Sequence, residues 1–295
     1  MSSEGLTPYG FLHNSKLPSN EAIVAHCSSL EFPRGTTLVD NPSTKSIIAW
    51  VKCGHNVTID EARTQDWTAK ALIDAGVLDV QAPRVFHAFE DKLDGYGPIG
   101  FIVMEYIEGV DCRLKDVGLI AKAVQTLISL QAPPGSSLGH VGGGTRSIVH
   151  TFFIEWVSSA EYRSDQDFYD HIQNMCRLVG VASQGDLSSY DRFLCPSDFH
   201  ASNFRKRTIR DSDGEESTVV VALDFYATCF MPLPFIEVAL KKAWDFMSQH
   251  LTRKVKYTPT KDAEALLTAS DRLVQYGFGA VALPANVHPR KFGSR

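Results

Sequence analysis

The texture of the chain changes near residue 109, and that change narrows the folds open to it. Before it, short runs of β-branched and aromatic residues alternate with turns. Residues 45–52, closing with Ala49-Trp50-Val51-Lys52, read as a strand that runs into a turn at Cys53-Gly54-His55-Asn56. Residues 84–89 and 100–107 read as two more strands, with Glu90 to Gly97 as the hairpin loop between them. One helix interrupts this pattern. Ala62, Ala69, Leu72 and Ile73 recur at helical spacing from Asp60 to about Ala75; Thr58 or Asp60 supplies a cap and Gly76 an end. Beyond Gly109 the apolar residues fall at helical period in Val117–Ile128, Phe235–Met247 and Ala263–Tyr276. The one β signal there is a pair of runs flanking Asp211 to Ser217. The expected fold class is α+β and bilobal: a small β-rich N-lobe over residues 1–107, then a larger, mainly helical C-lobe over 108–295.

Composition removes several classes of function. The hydrophobic share of 44% and charged share of 21% are those of an ordinary globular protein. A net charge of -5 and a pI near 6.1 weigh against a nucleic-acid partner. The basic run Arg205-Lys206-Arg207 reads as a solvated strand face. Six cysteines are scattered with no C-x-x-C pair, which suggests neither a zinc site nor a redox motif and suits reduced thiols in a cytoplasmic protein. No signal-type apolar core opens the chain, and no run nears the roughly 18 apolar residues of a membrane span. The expectation is a cytoplasmic protein with no membrane partner.

The chemistry is concentrated in Ser197-Asp198-Phe199-His200-Ala201-Ser202-Asn203 and, after a polar hairpin, in Asp224 at the end of Val219–Leu223. That order suits a protein in which Asp198 orients a hydroxyl nucleophile. Asn203 and Asp224 then supply hard oxygen ligands to the metal ions of a nucleoside triphosphate. A carboxylate at the end of a buried strand is costly unless a cation or hydrogen bonds compensate it. Lys52 closes a strand and Glu61 starts the next helix nine residues on, so an ion pair could hold the lysine as a point charge for phosphate; the alternative is a snorkelling surface lysine at a strand end.

Val51-Lys52, Glu61-Ala62, Ile102 to Gly109, Ser197 to Asn203 and Ala222-Leu223-Asp224-Phe225 together resemble the aminoglycoside phosphotransferase and choline-kinase-like family, from about residue 35 to 250. Gly139 to Gly144, followed by an aromatic-rich segment, is similar to fungal members. The resemblance implies a protein-kinase-like fold and a small-molecule kinase using ATP and Mg²⁺. By it, Lys52 meets the α- and β-phosphates, Glu61 steadies Lys52, and Met104-Glu105-Tyr106-Ile107 forms a hinge offering adenine a backbone donor and acceptor. Asp198 is then the catalytic residue, and Asn203 and Asp224 the metal ligands. The acceptor would be a small molecule, an amino alcohol or secondary metabolite.

This chain departs from the family at three places. Pro196-Ser197 stands where relatives carry His-Gly, Tyr226 where many carry Glu, and a lone Gly35 where a phosphate-covering loop over Phe32–Leu38 is expected. The backbone amides at Gly35-Thr36-Thr37 are candidates for phosphate contact, and His200 for fixing the loop by hydrogen bonding. Gly139 to Gly144 reads as a loop rather than a phosphate cradle. Glu155 to Asp170, with Trp156, Glu161, Tyr162, Asp165, Asp167, Phe168 and Tyr169, is either an acceptor site for a cationic alcohol or the face of an ordinary amphipathic helix. Two other readings stay open: a pseudokinase that binds nucleotide or a partner without transfer, and a kinase fold redeployed for other chemistry. The tail from Pro284 either folds over the site or hangs free.

Overall fold

The computed structural model describes residues 10–40, 46–93, 97–143, 148–181, 185–210, 214–242, 246–274 and 281–290. In chain order, α1 (Asn20–Ser29), β1 (Gly35–Val39), β2 (Ile47–Gly54) and α2 (Ile59–Asp74) come first. They are followed by β3 (Val80–Gln81), β4 (Val85–Leu93), β5 (Gly97–Met104) and β6 (Val110–Asp111). Next are α3 (Val117–Leu127), α4 (Asp165–Leu178), β7 (Arg192–Pro196), β8 (Phe204–Arg210) and β9 (Glu216–Ala222). The chain closes with β10 (Thr228–Pro232), α5 (Leu233–Lys241), α6 (Phe246–Thr252) and α7 (Ala263–Leu273). These elements make an α+β protein in two compact units. One comprises Met1–Val110 with Arg205–Tyr226, the other Asp111–Phe204 with Ala227–Arg295. No helix of the described residues is long and apolar enough to cross a membrane.

In the first unit, β1-β2-β5-β4 form an antiparallel sheet in that order. Side chains of a strand alternate between its faces, and β2 shows what this does. Ala49, Val51 and Cys53 enter one apolar cluster with Phe101 and Val103 of β5 and with Ile23 and Cys27 of α1. Trp50 goes to the other face and packs against a cluster of Ile102, Met104, Val85 and Ala62, the last from α2. Lys52 shares that second face, so the alternation turns its ammonium toward α2. The approach of α2 needs a glycine: a Cβ on Gly100 would lie 1.9 Å from the Val57 carbonyl oxygen.

The strand expected over 100–107 ends at Met104, because the Glu105 amide turns aside to donate to the Arg84 carbonyl at 2.9 Å. The expected hairpin loop at Glu90–Gly97 is shorter than foreseen, since Glu90–Leu93 and Gly97–Gly100 already pair. A second sheet, β3-β9-β8-β6, contains the anticipated hairpin, whose tip at 211–213 lies outside the described residues. The basic run on β8 is a correction to the sequence reading. Arg205 donates to the Ile107 carbonyl at 3.0 Å and Arg207 to Gln81, so the run braces the sheet as well as facing solvent.

In the second unit, β7 and β10 pair antiparallel, with Cys195 opposite Cys229. α5 packs on α6 and α7 over an aromatic core in which Phe152 and Phe168 each lie 5.6 Å from Phe235, ring centre to ring centre. The helical signal over Phe235–Met247 resolves into α5 and α6, with 243–245 outside the described residues. The described part of the tail neither hangs free nor leaves this unit. His171 Nε2 donates to the Val281 carbonyl at 3.0 Å, Asn286 to Asp167 at 2.9 Å, and the Arg290 amide to the Ser159 carbonyl at 2.6 Å.

Two buried histidines are fixed as neutral rings. His150 donates from Nε2 to the Phe235 carbonyl and accepts at Nδ1 from the Phe152 amide. His171, donating to Val281, accepts the Tyr162 hydroxyl at 2.8 Å. Burial lowers both pKa values, to about 3 for His150 and about 4 for His171. Unfolding restores values near 6.5, so the unfolded chain binds more protons below that pH. The stabilisation from keeping these rings neutral is therefore complete above about pH 6.5 and lost as pH falls toward the folded values. Each histidine contributes a slope of up to about 1.4 kcal/mol per pH unit. Urea unfolding at pH 7 and pH 5 should show the drop, and His171→Gln should make it shallower; equal stability at the two pH values would contradict this account.

Candidate active site

Three residues from distant parts of the sequence meet in the first unit. Lys52 Nζ donates to Glu61 Oε1 at 2.5 Å and to Asp224 Oδ1 at 2.9 Å. Glu61 sits in the first turn of α2, where the Thr58 hydroxyl accepts its amide at 3.1 Å and caps the helix. Its side chain is 0% exposed, and Oε2 has no hydrogen-bond partner among the described residues. Burial raises the Glu61 pKa and Asp224 adds to the rise, while Lys52 opposes it. At Lys52 burial disfavours the ammonium, yet the two carboxylates outweigh it and hold its pKa above the ordinary value. The lysine is thus a fixed positive charge.

Asp224 follows the buried end of β9 in the left-handed region, at φ 56°. Such a backbone costs about 1–3 kcal/mol outside glycine and persists only where neighbours hold it. Here Oδ1 also accepts the Tyr226 amide at 3.2 Å, the local bond that lets Asp adopt this conformation. The side chain remains 42% exposed. It is a hard oxygen donor next to a cation, of the type a divalent ion uses.

The linker after β5 carries the expected hinge residues. Met104 is buried, and its sulfur accepts from Gln65 at 3.3 Å. The Glu105 amide and the Ile107 carbonyl are committed, to Arg84 and Arg205 respectively. Among the described residues no hydrogen bond is drawn to the Glu105 carbonyl or from the Ile107 amide, which leaves an acceptor and a donor two residues apart. Tyr106 lies 6.5 Å from the Trp50 ring centre, at a tilt of 34°.

Gly35 has a different reason to be glycine from the one expected. A Cβ there would lie 2.3 Å from the Trp50 ring, so the indole packs against bare backbone. Gly35-Thr36-Thr37 belongs to edge strand β1, with Gly35 opposite Lys52, and forms a strand rather than a phosphate-covering loop.

Asp198 and Asn203 lie in the second unit, on a short connection between β7 and β8. Ser197 anchors it: its amide and hydroxyl both donate to the Ala227 carbonyl, at 2.8 and 3.1 Å. Sequence reasoning saw in Ser197 only a departure from the family; its support is visible only once β7 and β10 pair. Asp198 Oδ1 accepts the His200 amide at 3.2 Å, and Asn203 Nδ2 donates to the Asp198 carbonyl at 3.3 Å. His200 Nδ1 accepts the Ser202 amide and lies 2.7 Å from its hydroxyl, so His200 caps the 3₁₀ turn Ala201–Asn203, the loop-fixing role anticipated for it. Asn203 thereby keeps its carbonyl oxygen available to a cation. Among the described residues no three His, Cys, Asp or Glu side chains gather as a metal site. An amide oxygen is a hard donor of the kind a magnesium ion takes.

Of the two readings of the segment Glu155 to Asp170, the structural one fits the described contacts. Tyr162, Phe168 and Tyr169 are buried core residues. Asp167 caps α4 by accepting the Arg163 and Ser164 amides and also binds Asn286, while Asp165 pairs with Arg192 at 2.6 Å. These acids and aromatics hold the fold, as the amphipathic-helix reading has it. Gly139 is tied to β10 through Phe230 in both directions, the loop expected of that stretch; Gly144 lies outside the described residues.

No protein-family model matches the chain, and no curated protein matches it in sequence. Among solved structures it is similar to a protein from Haemophilus somnus 129PT described as a fructosamine-3-kinase, at 12% identity and TM-score 0.38, covering 78% of this chain and 77% of that one. It is also similar to AMP-bound spectinomycin phosphotransferase APH(9)-Ia, at 13% identity and TM-score 0.34, over 77% and 76% of the two chains. A Plasmodium vivax ethanolamine kinase matches at 13% identity and TM-score 0.35, over 80% and 67%. At these scores the likenesses carry no weight in assigning a function.

Removing one partner of a buried ion pair leaves the other uncompensated, at a cost of about 3–5 kcal/mol. Lys52→Met should therefore approach the lower part of that range in urea unfolding, since Lys52 keeps 19% exposure. Adding Glu61→Gln should recover much of the loss. Additive effects of the two changes would show that the pair is not coupled.

Proposed function

We propose that the protein is an ATP- and Mg²⁺-dependent phosphotransferase acting on a hydroxyl of a small molecule, with Asp198 orienting that hydroxyl. The observation that carries this reading is the single Lys52 ammonium held between Glu61 and Asp224, residues from a strand, a helix and a turn that have no structural need to meet. Burying Glu61 is costly, and an apolar trio would pack there more simply. The motif resemblance around Ser197–Asn203 and Ala222–Phe225 points the same way.

On this reading Lys52 binds phosphate oxygens as a point charge, and Glu61 keeps it from swinging into solvent. Asp224 and Asn203 would hold Mg²⁺, which neutralises charge on the transferring phosphate. The open Glu105 carbonyl and Ile107 amide would receive the edge of adenine. Asp198 accepts the hydrogen bond of the acceptor hydroxyl and aims its lone pair for in-line attack; charge is stabilised without a covalent intermediate. The acceptor is an amino alcohol or a secondary metabolite with a free hydroxyl.

A second reading, nucleotide binding without transfer, is favoured by one feature: Lys52 already pairs with one carboxylate oxygen of Asp224. Two measurements separate the readings. A ligand that binds only the folded state raises the melting temperature, so millimolar Mg-ATP should shift it upward, and Asp224→Asn should reduce the shift. Phosphate transfer to a panel of amino alcohols should then fall by about 10²–10⁴-fold in Asp198→Asn. A shift without transfer selects the second reading; no shift rejects both.

A further inference from the structure

Trp50 stands beside the charge trio without taking part in it. It lies two residues before Lys52 on β2, so strand alternation puts both on the face that meets α2. Two sets of neighbours are committed to placing its indole. A Cβ at Gly35 would come within 2.3 Å of the ring carbon Cζ2 and 2.7 Å of Nε1, so β1 is bare where the indole lies against it. Val85, Ile102 and Met104 of the sheet and Ala62 of α2 support the ring as well. Even so, Trp50 is only half-buried. Tyr106, in the linker after β5, is half-buried too, and its ring centre lies 6.5 Å from that of Trp50 with the planes 34° apart. Phe89 and Phe101 of the same sheet show what a closed pair looks like: they stack directly, at 4.8 Å and 8°.

The geometry points to Trp50 and Tyr106 as an aromatic clamp that receives a nucleobase, with Trp50 selecting a two-ring base over a one-ring base. The clamp rests on the nucleotide reading of the site and adds to it the residue that chooses the base. A contact between flat ring faces takes about 3.5 Å. The two rings are therefore not stacked on each other, and their spacing is close to the roughly 7 Å at which a third ring touches both. Tyr106 is flanked by the Glu105 carbonyl and the Ile107 amide, the acceptor and donor that carry no hydrogen bond among the described residues. A ring entering beside Trp50 thus meets a backbone edge as well as two aromatic faces.

The backbone edge cannot make this choice by itself. Adenine and cytosine both present an exocyclic amino donor next to an unprotonated ring nitrogen, and that pair fits the Glu105 carbonyl and the Ile107 amide equally well. A neutral hydrogen bond also replaces one to water, so it orients a base more than it holds it. Stacking does not read the edge, because every base has a π-face, but it grows with the area covered. Indole has two fused rings. A purine covers both, and a pyrimidine covers one. Loss of one base–aromatic stack weakens binding roughly 5- to 150-fold, enough to set the preference.

The test measures adenosine, cytidine and Mg-ATP binding to the full-length protein by equilibrium dialysis, with intrinsic fluorescence as a second readout, since a base stacked on an indole quenches its emission. Adenosine should bind more tightly than cytidine and quench. Trp50→Phe should remove that quench although the other three tryptophans remain. Trp50→Ala should weaken adenosine roughly 5- to 150-fold and bring it close to cytidine. Melting of the free variants shows whether each is folded; if Trp50→Ala is not, the quench in Trp50→Phe decides alone. Equal affinity for adenosine and cytidine in the parent protein, or a quench that survives Trp50→Phe, would overturn the clamp. Mg-ATP binding with no quench that depends on Trp50 would overturn it too, and would leave the kinase reading standing. A quench that depends on Trp50, with no phosphate transfer, would support the clamp and reject transfer.

Discussion

The contact on which the rest of the candidate site depends is one ammonium between two carboxylates. A fully buried Glu61 is tolerable only while Lys52 neutralises it, and Lys52 is where it is only while β2 keeps its register. Slipping β2 by one residue would turn Lys52 toward α1 and put Val51 in its place. Gly100, by admitting the Val57 carbonyl, sets how closely α2 approaches the sheet, and so how far Glu61 stands from Lys52. The third partner makes the hairpin β8–β9 part of the same arrangement, because Asp224 leaves β9 in a left-handed turn that its bonds to Lys52 and Tyr226 hold. The trio is better understood as a device for fixing a charge than as a source of stability.

The second unit solves a comparable problem with neutral groups. Asp198 stands on a connection with little regular structure, where a side chain would ordinarily wander. Two bonds from Ser197 to one carbonyl on the neighbouring chain segment, the cap from His200 and the Asn203 bond to the Asp198 backbone remove that freedom. Ser197 therefore anchors the loop that carries Asp198. Pro196 is accommodated because it closes a strand, where its missing amide leaves no ladder bond unmade.

A left-handed turn and a buried thiol lie together at one further place. The left-handed pair Glu31-Phe32 lies immediately before Pro33, whose carbonyl Cys53 touches, and Cys53 is the immediate neighbour of Lys52. The two faces of β2 are chemically distinct, one carrying the thiol and the other the charge.

Much of this was legible in the sequence because it depends on period and order along the chain. The alternation in Ala49–Cys53, the cap at Thr58 with Glu61 three residues on, the helical spacing of Val117–Leu127 and the Asp198-to-Asn203 motif are local properties, and local sterics determine them. What stayed hidden depends on neighbours. That strand β5 stops at Met104, that Gly35 is required by the Trp50 ring, that Asp167 caps a helix rather than meeting a ligand, and that Ser197 supports Asp198 all follow from contacts the local pattern does not contain. α1 escaped notice because it buries only Ile23 and Cys27, too few positions to make a helical period. The sequence alone determined which residue types were available and which face of each element they occupy. Only the tertiary structure decided that the carboxylates of Glu61 and Asp224 would both accept from the Lys52 ammonium, because the register between strands and the packing of helices on them set distances that no spacing along the chain contains.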